Sequence, residues 1–127
     1  MEKTVVRTEA APAPFQGAPY NQAIRIGDLV FVAGQLGLEP GDKTVRGDIA
    51  QQTEQVMRNV AAILDAAGSS LDRLVKTTVF LQRLEDFAAM NDVYARHVGD
   101  RPPARSTVEV AGLPSGALVE IEAVASV

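Results

Sequence analysis

Charges set inside strand-like sequence constrain this chain more than anything else in it. From Arg101 to Ser126 it reads RPPARSTVEVAGLPSGALVEIEAVAS. In RSTVEV, Arg105, Thr107 and Glu109 fall on one side of an extended strand, and Ser106, Val108 and Val110 on the other. In LVEIEAVAS, Leu118, Glu120, Glu122 and Val124 oppose Val119, Ile121, Ala123 and Ala125. Each strand thus has a small or apolar face to bury, with ionisable groups close by. Taking an ion out of water is costly unless it is paired or hydrogen-bonded, so Arg105 and Glu120 need either each other or a ligand. On spacing alone, an internal salt bridge from Arg105 to Glu120 or Glu122 and a ligand site both stay open. If the two strands pair antiparallel with Thr107 opposite Glu120, the charges share a cleft; a slip of one residue turns Glu120 away.

The remaining elements follow from periodicity. Lys3 to Arg7 alternates like a short strand and runs into a loop broken by Pro12, Pro14, Gly17 and Pro19. QAIRI and LVFVAG flank Gly27-Asp28, the spacing of a tight hairpin. Asp48 is placed to cap a helix in which Ile49, Thr53, Val56, Val60, Ile63, Leu64 and Ala67 recur at helical spacing until Gly68. Leu74 to Leu81 is strand-like, and Phe87, Met90, Tyr94, His97 and Val98 mark the buried stripe of a second helix. The order β-β-β-α-β-α-β-β predicts an α+β fold, a single mixed β-sheet with both helices packed on one face. Val30, Val32, Val75, Val79, Val119 and Ile121 then supply a second apolar sheet face that two helices cannot cover, and such a face usually marks association.

Composition narrows the chemistry. A chain of 127 residues suits one domain spanning residues 1–127. No apolar run is long enough to span a bilayer, and MEKTVVRTEA lacks the apolar stretch of a signal peptide, so the cytoplasm is the expected compartment. With no cysteine and with His97 the one histidine, neither a thiolate nucleophile nor a transition-metal site is expected. The net charge of −4 and scattered cations argue against a general nucleic-acid binder. Any chemistry falls to Arg, Glu, Tyr, Ser, Thr, Asn, backbone and water.

The segment PPARSTVEVAGLPSGALVEIEA resembles the signature of the RidA/YjgF family of enamine/imine deaminases, formerly labelled endoribonuclease L-PSP or translation initiation inhibitors. APYNQA at Ala18 to Ala23, VAGQLGL at Val32 to Leu38, LVKTTVFL at Leu74 to Leu81 and MNDVY at Met90 to Tyr94 resemble further family stretches, in the same order and at matching spacing. The resemblance implies a chorismate-mutase-like homotrimer whose sheets meet around a central barrel-like core, with clefts between subunits. It also implies hydrolysis of 2-enamine/2-imino acids such as 2-aminoacrylate to 2-keto acids and ammonia. No cofactor or metal would be held; pyridoxal phosphate belongs to the dehydratase that releases the enamine.

By this resemblance Arg105 grips the substrate carboxylate, a task suited to the planar guanidinium fork, and Glu120 positions and activates a water. Tyr20, Gly34, Asn91 and Thr107 match the substrate-binding positions, Thr107 through its backbone carbonyl. Taken on their own, Tyr20 also suits a loop anchor, Asn91 a solvated helix position and Gly34 a strand end. His97 is expected to pack with Tyr94 and Val98, without a role. Ala33 stands where many members carry serine, and Thr107 where many carry cysteine, which bears on substrate range and rate. A noncatalytic carboxylate-binding trimer and an endoribonuclease or translation inhibitor are the alternative readings.

Overall fold

A computed structural model describes residues 1–127. The strands are β1 (Lys3–Val6), β2 (Ala23–Ile26), β3 (Leu29–Leu36), β4 (Leu74–Leu81), β5 (Ala104–Glu109) and β6 (Val119–Ser126), and the helices are α1 (Ile49–Ala66) and α2 (Phe87–Val98). The element order is the expected one. The strands form one sheet in the order β1-β2-β3-β6-β4-β5. All neighbours are antiparallel except β4 and β5, which run parallel through the α2 crossover.

That order corrects the expected pairing of the last two strands. β5 does not touch β6: β4 lies between them, so Thr107 faces Val79, and Val79 in turn faces Ile121. The turn between β5 and β6 is therefore not a hairpin but a connection that carries β6 past β4 into the middle of the sheet.

Both helices pack on one face. Val56, Met57, Val60, Ile63 and Leu64 of α1, with Met90, Tyr94 and Val98 of α2, meet Val30, Val32, Val79, Val119, Ile121 and Ala123 of the sheet. Five of the valines and isoleucines expected on the second face thus belong to the covered core. The open face is apolar through other residues: Val5, Leu29, Phe31, Val75 and Val108 are each at least 40% exposed. Only Val75 of the expected set is among them, because a register shift between Leu74 and Lys76 turns it outward. No helix is long and apolar enough to cross a membrane.

Three local devices hold the frame. Gly27 takes φ +55° at the β2–β3 hairpin, a left-handed conformation that glycine adopts without a Cβ clash. Asp48 accepts from Gln51 N while the Gln51 side chain accepts from Asp48 N, closing a reciprocal cap at the start of α1. Buried amides tie the loops to α1: Asn59 donates to the carbonyls of Leu36 and Leu38, and Gln52 donates to Gly47 O and accepts from Leu118 N. His97 departs from expectation: its Nε2 lies 2.8 Å from Glu54 Oε1, joining α2 to α1. Glu54 is held below its ordinary pKa chiefly by that hydrogen bond, which outweighs the opposing effect of burial, and Arg58 adds a lesser lowering.

Asp48→Ala should lower stability by about 1 kcal/mol, read as a lower urea midpoint at unchanged slope. An unchanged midpoint would show that the cap does not stabilise α1.

Candidate functional site

Glu120 owes its place to an irregularity in β3. Pairing with β6 runs Val32 to Ala123 and resumes at Gln35 to Ile121, so Ala33 and Gly34 together oppose Glu122. The bulge brings Gly34 beneath the Glu120 side chain. A Cβ on Gly34 would stand 2.9 Å from Glu120 Cδ and collide with Oε2, so only glycine leaves room for the carboxylate. Glu120 has no hydrogen-bond or cationic partner within the chain. Burial pushes its carboxyl above the ordinary pKa, and the charge of Glu122 two residues along pushes it further.

Tyr20 stands near this group, on the loop before β2. Its hydroxyl accepts from Phe15 N at 2.6 Å, which leaves the phenolic O–H free to donate. Tyr20 lines a cavity of about 490 Å³ on the open face with Ala33, Lys76, Thr78 and Glu122, and a smaller one with Gly34. Tyr20 is thus both loop anchor and cavity wall.

Arg105 lies on the other side of the sheet. Its register row is Ala123, Thr77, Arg105, on the face that packs against the helices, whereas Glu120 shares a row with Phe80 and Val108 on the open face. The β5–β6 pairing under which Arg105 and Glu120 of one chain would share a cleft is therefore not the one the sheet adopts, and no internal salt bridge joins them. The Arg105 guanidinium meets no carboxylate. It lies 4.9 Å from the ring centre of Tyr94 and 5.4 Å from that of Phe87, both on α2. Asn91, one turn from each, belongs to the same stripe, and its Oδ1 is buried without a partner.

The backbone of β5 completes this second group. In a parallel ladder the N–H and C=O of one residue point the same way, alternating along the strand. Val110 N donates to Leu81 O, so even-numbered positions face β4 and the backbone groups of Arg105, Thr107 and Glu109 face outward from the sheet edge. The Thr107 carbonyl thus points away from β4.

The six expected residues resolve into two clusters: Tyr20, Gly34 and Glu120 at the open face, and Asn91, Arg105 and Thr107 at the β5 edge. Sequence reading missed the aromatic bed under Arg105. It placed Phe87 and Tyr94 in the buried stripe of α2, but Phe87 is 41% exposed while Tyr94 is 4% exposed. Their spacing about Asn91, four before and three after, was the available signal.

An α+β protein with one six-stranded mixed sheet, two helices on one face and an unpaired charge on either side of that sheet is the class defined so far. More particularly, the chain belongs to the RidA/YjgF family: the family model described as Endoribonuclease L-PSP matches residues 8–127. A RutC family protein of Pyrococcus abyssi is 49% identical over 126 residues, 98% of each chain. The chloroplastic Reactive Intermediate Deaminase A of Arabidopsis thaliana is 46% identical over 99% of this chain and 67% of its own length. Among solved structures, E. coli TdcF with bound serine superposes with a TM-score of 0.90 at 37% identity, covering 98% of both chains.

Because Glu122 helps hold Glu120 above its ordinary pKa, Glu122→Gln should lower the Glu120 titration midpoint. Carboxyl-carbon NMR of wild type and variant measures the shift; an unmoved or raised midpoint would leave burial as its whole cause.

Proposed function

We propose that this protein is a hydrolytic deaminase of reactive 2-imino acids, acting in the cytoplasm as a homotrimer in which each site joins two copies. The observation that carries the reading is the separation of Arg105 from Glu120 on opposite sheet faces, each without an ionic partner. A head-to-tail ring repeats one contact between unlike surfaces and closes when the rotation fits. In such a ring the β5 edge of one copy meets the open face of the next, and the exposed Leu29, Phe31 and Val108 leave water. Arg105 of one copy then stands across a cleft from Glu120 of its neighbour.

The chemistry follows from the two groups. Arg105 and the outward β5 backbone bind and orient the 2-imino acid by its carboxylate. Glu120 holds a water and accepts its proton as the water oxygen bonds to the imine carbon. The proton passes to nitrogen, giving a carbinolamine; Glu120 then moves the proton of the new hydroxyl to the same nitrogen as the carbonyl forms and the carbon–nitrogen bond breaks, and the products are a 2-keto acid and ammonia. Most of the rate advantage comes from positioning, with acid–base assistance from a carboxylate made more basic by burial. Turnover should accordingly decline, as pH falls, through a midpoint above the usual carboxylate range. Reactive Intermediate Deaminase A in Arabidopsis supports the reaction class, and serine bound to TdcF supports a site for a small amino-acid-like carboxylate.

Ala33 favours a second reading, a carboxylate-binding trimer without turnover, because a methyl group supplies no hydroxyl to the cavity that it lines. Release of keto acid from dehydratase-generated 2-aminoacrylate separates the two. A nuclease is disfavoured: His97 is engaged by Glu54 between the helices, apart from both clusters.

Arg105→Lys keeps the charge and removes the fork, so keto-acid production should fall at least about tenfold, or about 1.4 kcal/mol of transition-state stabilisation. Light scattering should meanwhile still give three chain masses. Wild-type turnover by the folded variant would remove Arg105 from the mechanism. Mixing tests the shared site directly. Arg105→Ala and Glu120→Ala proteins, each inactive alone, should recover roughly a quarter of wild-type activity when unfolded and refolded together at equal amounts, since half the sites carry an intact arginine side and half of those an intact glutamate side. No recovery from correctly assembled mixed trimers would place both groups of each site in one copy.

A further inference from the structure

Arg105 is held in an unusual way for a half-buried cation. Its neighbours in the chain are two π faces, and its N–H donors are bonded to no protein acceptor. The nearer ring is fixed: the Tyr94 hydroxyl and Thr77 Oγ1 are 2.6 Å apart, and both residues are almost wholly buried. Thr77 is also the residue beside Arg105 across the β4–β5 ladder, so one core hydrogen bond ties the ring to the strand position next to the guanidinium. The farther ring, Phe87, reaches the surface. A carboxylate in place of these rings would hold the cation as firmly but would occupy the donors that an incoming anion needs.

We infer that Tyr94 and Phe87 are positioning residues, an aromatic cradle that holds the Arg105 guanidinium by its face so that its donor edge stays free for the carboxylate of the ligand. The inference rests on the reading of Arg105 as a carboxylate anchor and extends it to two residues that act through the arginine. Tyr94 sets the orientation through its ring, which its burial in the core holds in place, and the Thr77 bond adds stability. Phe87 supplies the second contact and shields the guanidinium from water.

The test compares binding of 2-ketobutyrate with that of its neutral amide, 2-oxobutanamide, by calorimetry on the full-length protein. Wild type should prefer the acid by at least about tenfold. Tyr94→Leu should reduce that preference at least about fivefold, and Phe87→Leu about two- to threefold, within the range of cation–π contacts. Tyr94→Phe, which keeps the ring, should hold the preference within about twofold while its melting temperature falls from the loss of the Thr77 bond. A packing role predicts otherwise: the leucine variants would weaken acid and amide equally, or neither, and either result overturns the cradle. If Tyr94→Leu does not fold, Phe87→Leu at its exposed position decides, and an unchanged preference there refutes the inference. A wild-type protein with no preference for the acid would instead refute Arg105 as the anchor, and the cradle with it.

Discussion

The insertion of β6 between β3 and β4 is the constraint on which the rest of the molecule depends. It gives β6 an antiparallel neighbour on either side, places Val119, Ile121 and Ala123 in the core under the helices, and forces Glu120 and Glu122 to the opposite face. It also displaces β5 to the edge, where its only strand partner is β4 and Arg105 meets the rings of α2. Had β5 and β6 paired directly, the two charges would have had each other. With β4 between them they are parted by the sheet itself.

Local order was legible in the sequence because it is written in short-range signals. The Gly27-Asp28 turn, the Asp48 cap, the period of α1 and the alternation in β4 and β6 each act over a few residues, and the structure places those elements where the signals put them. Strand adjacency is different. Nothing within β5 or β6 states that a third strand will come between them, since alternation fixes which residues share a face but not which strand lies alongside. The same gap misassigned the apolar faces: Val30, Val79 and Ile121 are equally good on either side of a sheet until the helices are docked. Of the candidate site, Arg105 and Glu120 stood out as charges within strand sequence, the family resemblance supplied the other identities, and parity said which residues of one strand share a side but not which side meets the helices. Their separation, and the rings beneath Arg105, needed the third dimension.

The two clusters use opposite electrostatic solutions. Glu120 is desolvated beside a like charge, and both effects favour its protonated form. Arg105 is held by polarisable rings rather than by a counter-ion. One group is thereby made a better proton acceptor, and the other keeps its donor edge free. Gly34 contributes by lacking a side chain, since the volume its Cβ would fill is taken by the Glu120 carboxylate.

The outward backbone of β5 carries a liability as well as a use. Three residues with free N–H and C=O groups along an edge form a template that another strand can extend, the route by which sheets aggregate. Here the template is kept short. Pro102 and Pro103, which lack N–H donors, stand immediately before β5, and past Val110 the chain turns away through Gly112 and Pro114. Arg105 and Glu109 set charges along the same edge. The exposed row is long enough to hydrogen-bond a molecule the size of an amino acid, and too short and too charged to invite an extended polypeptide.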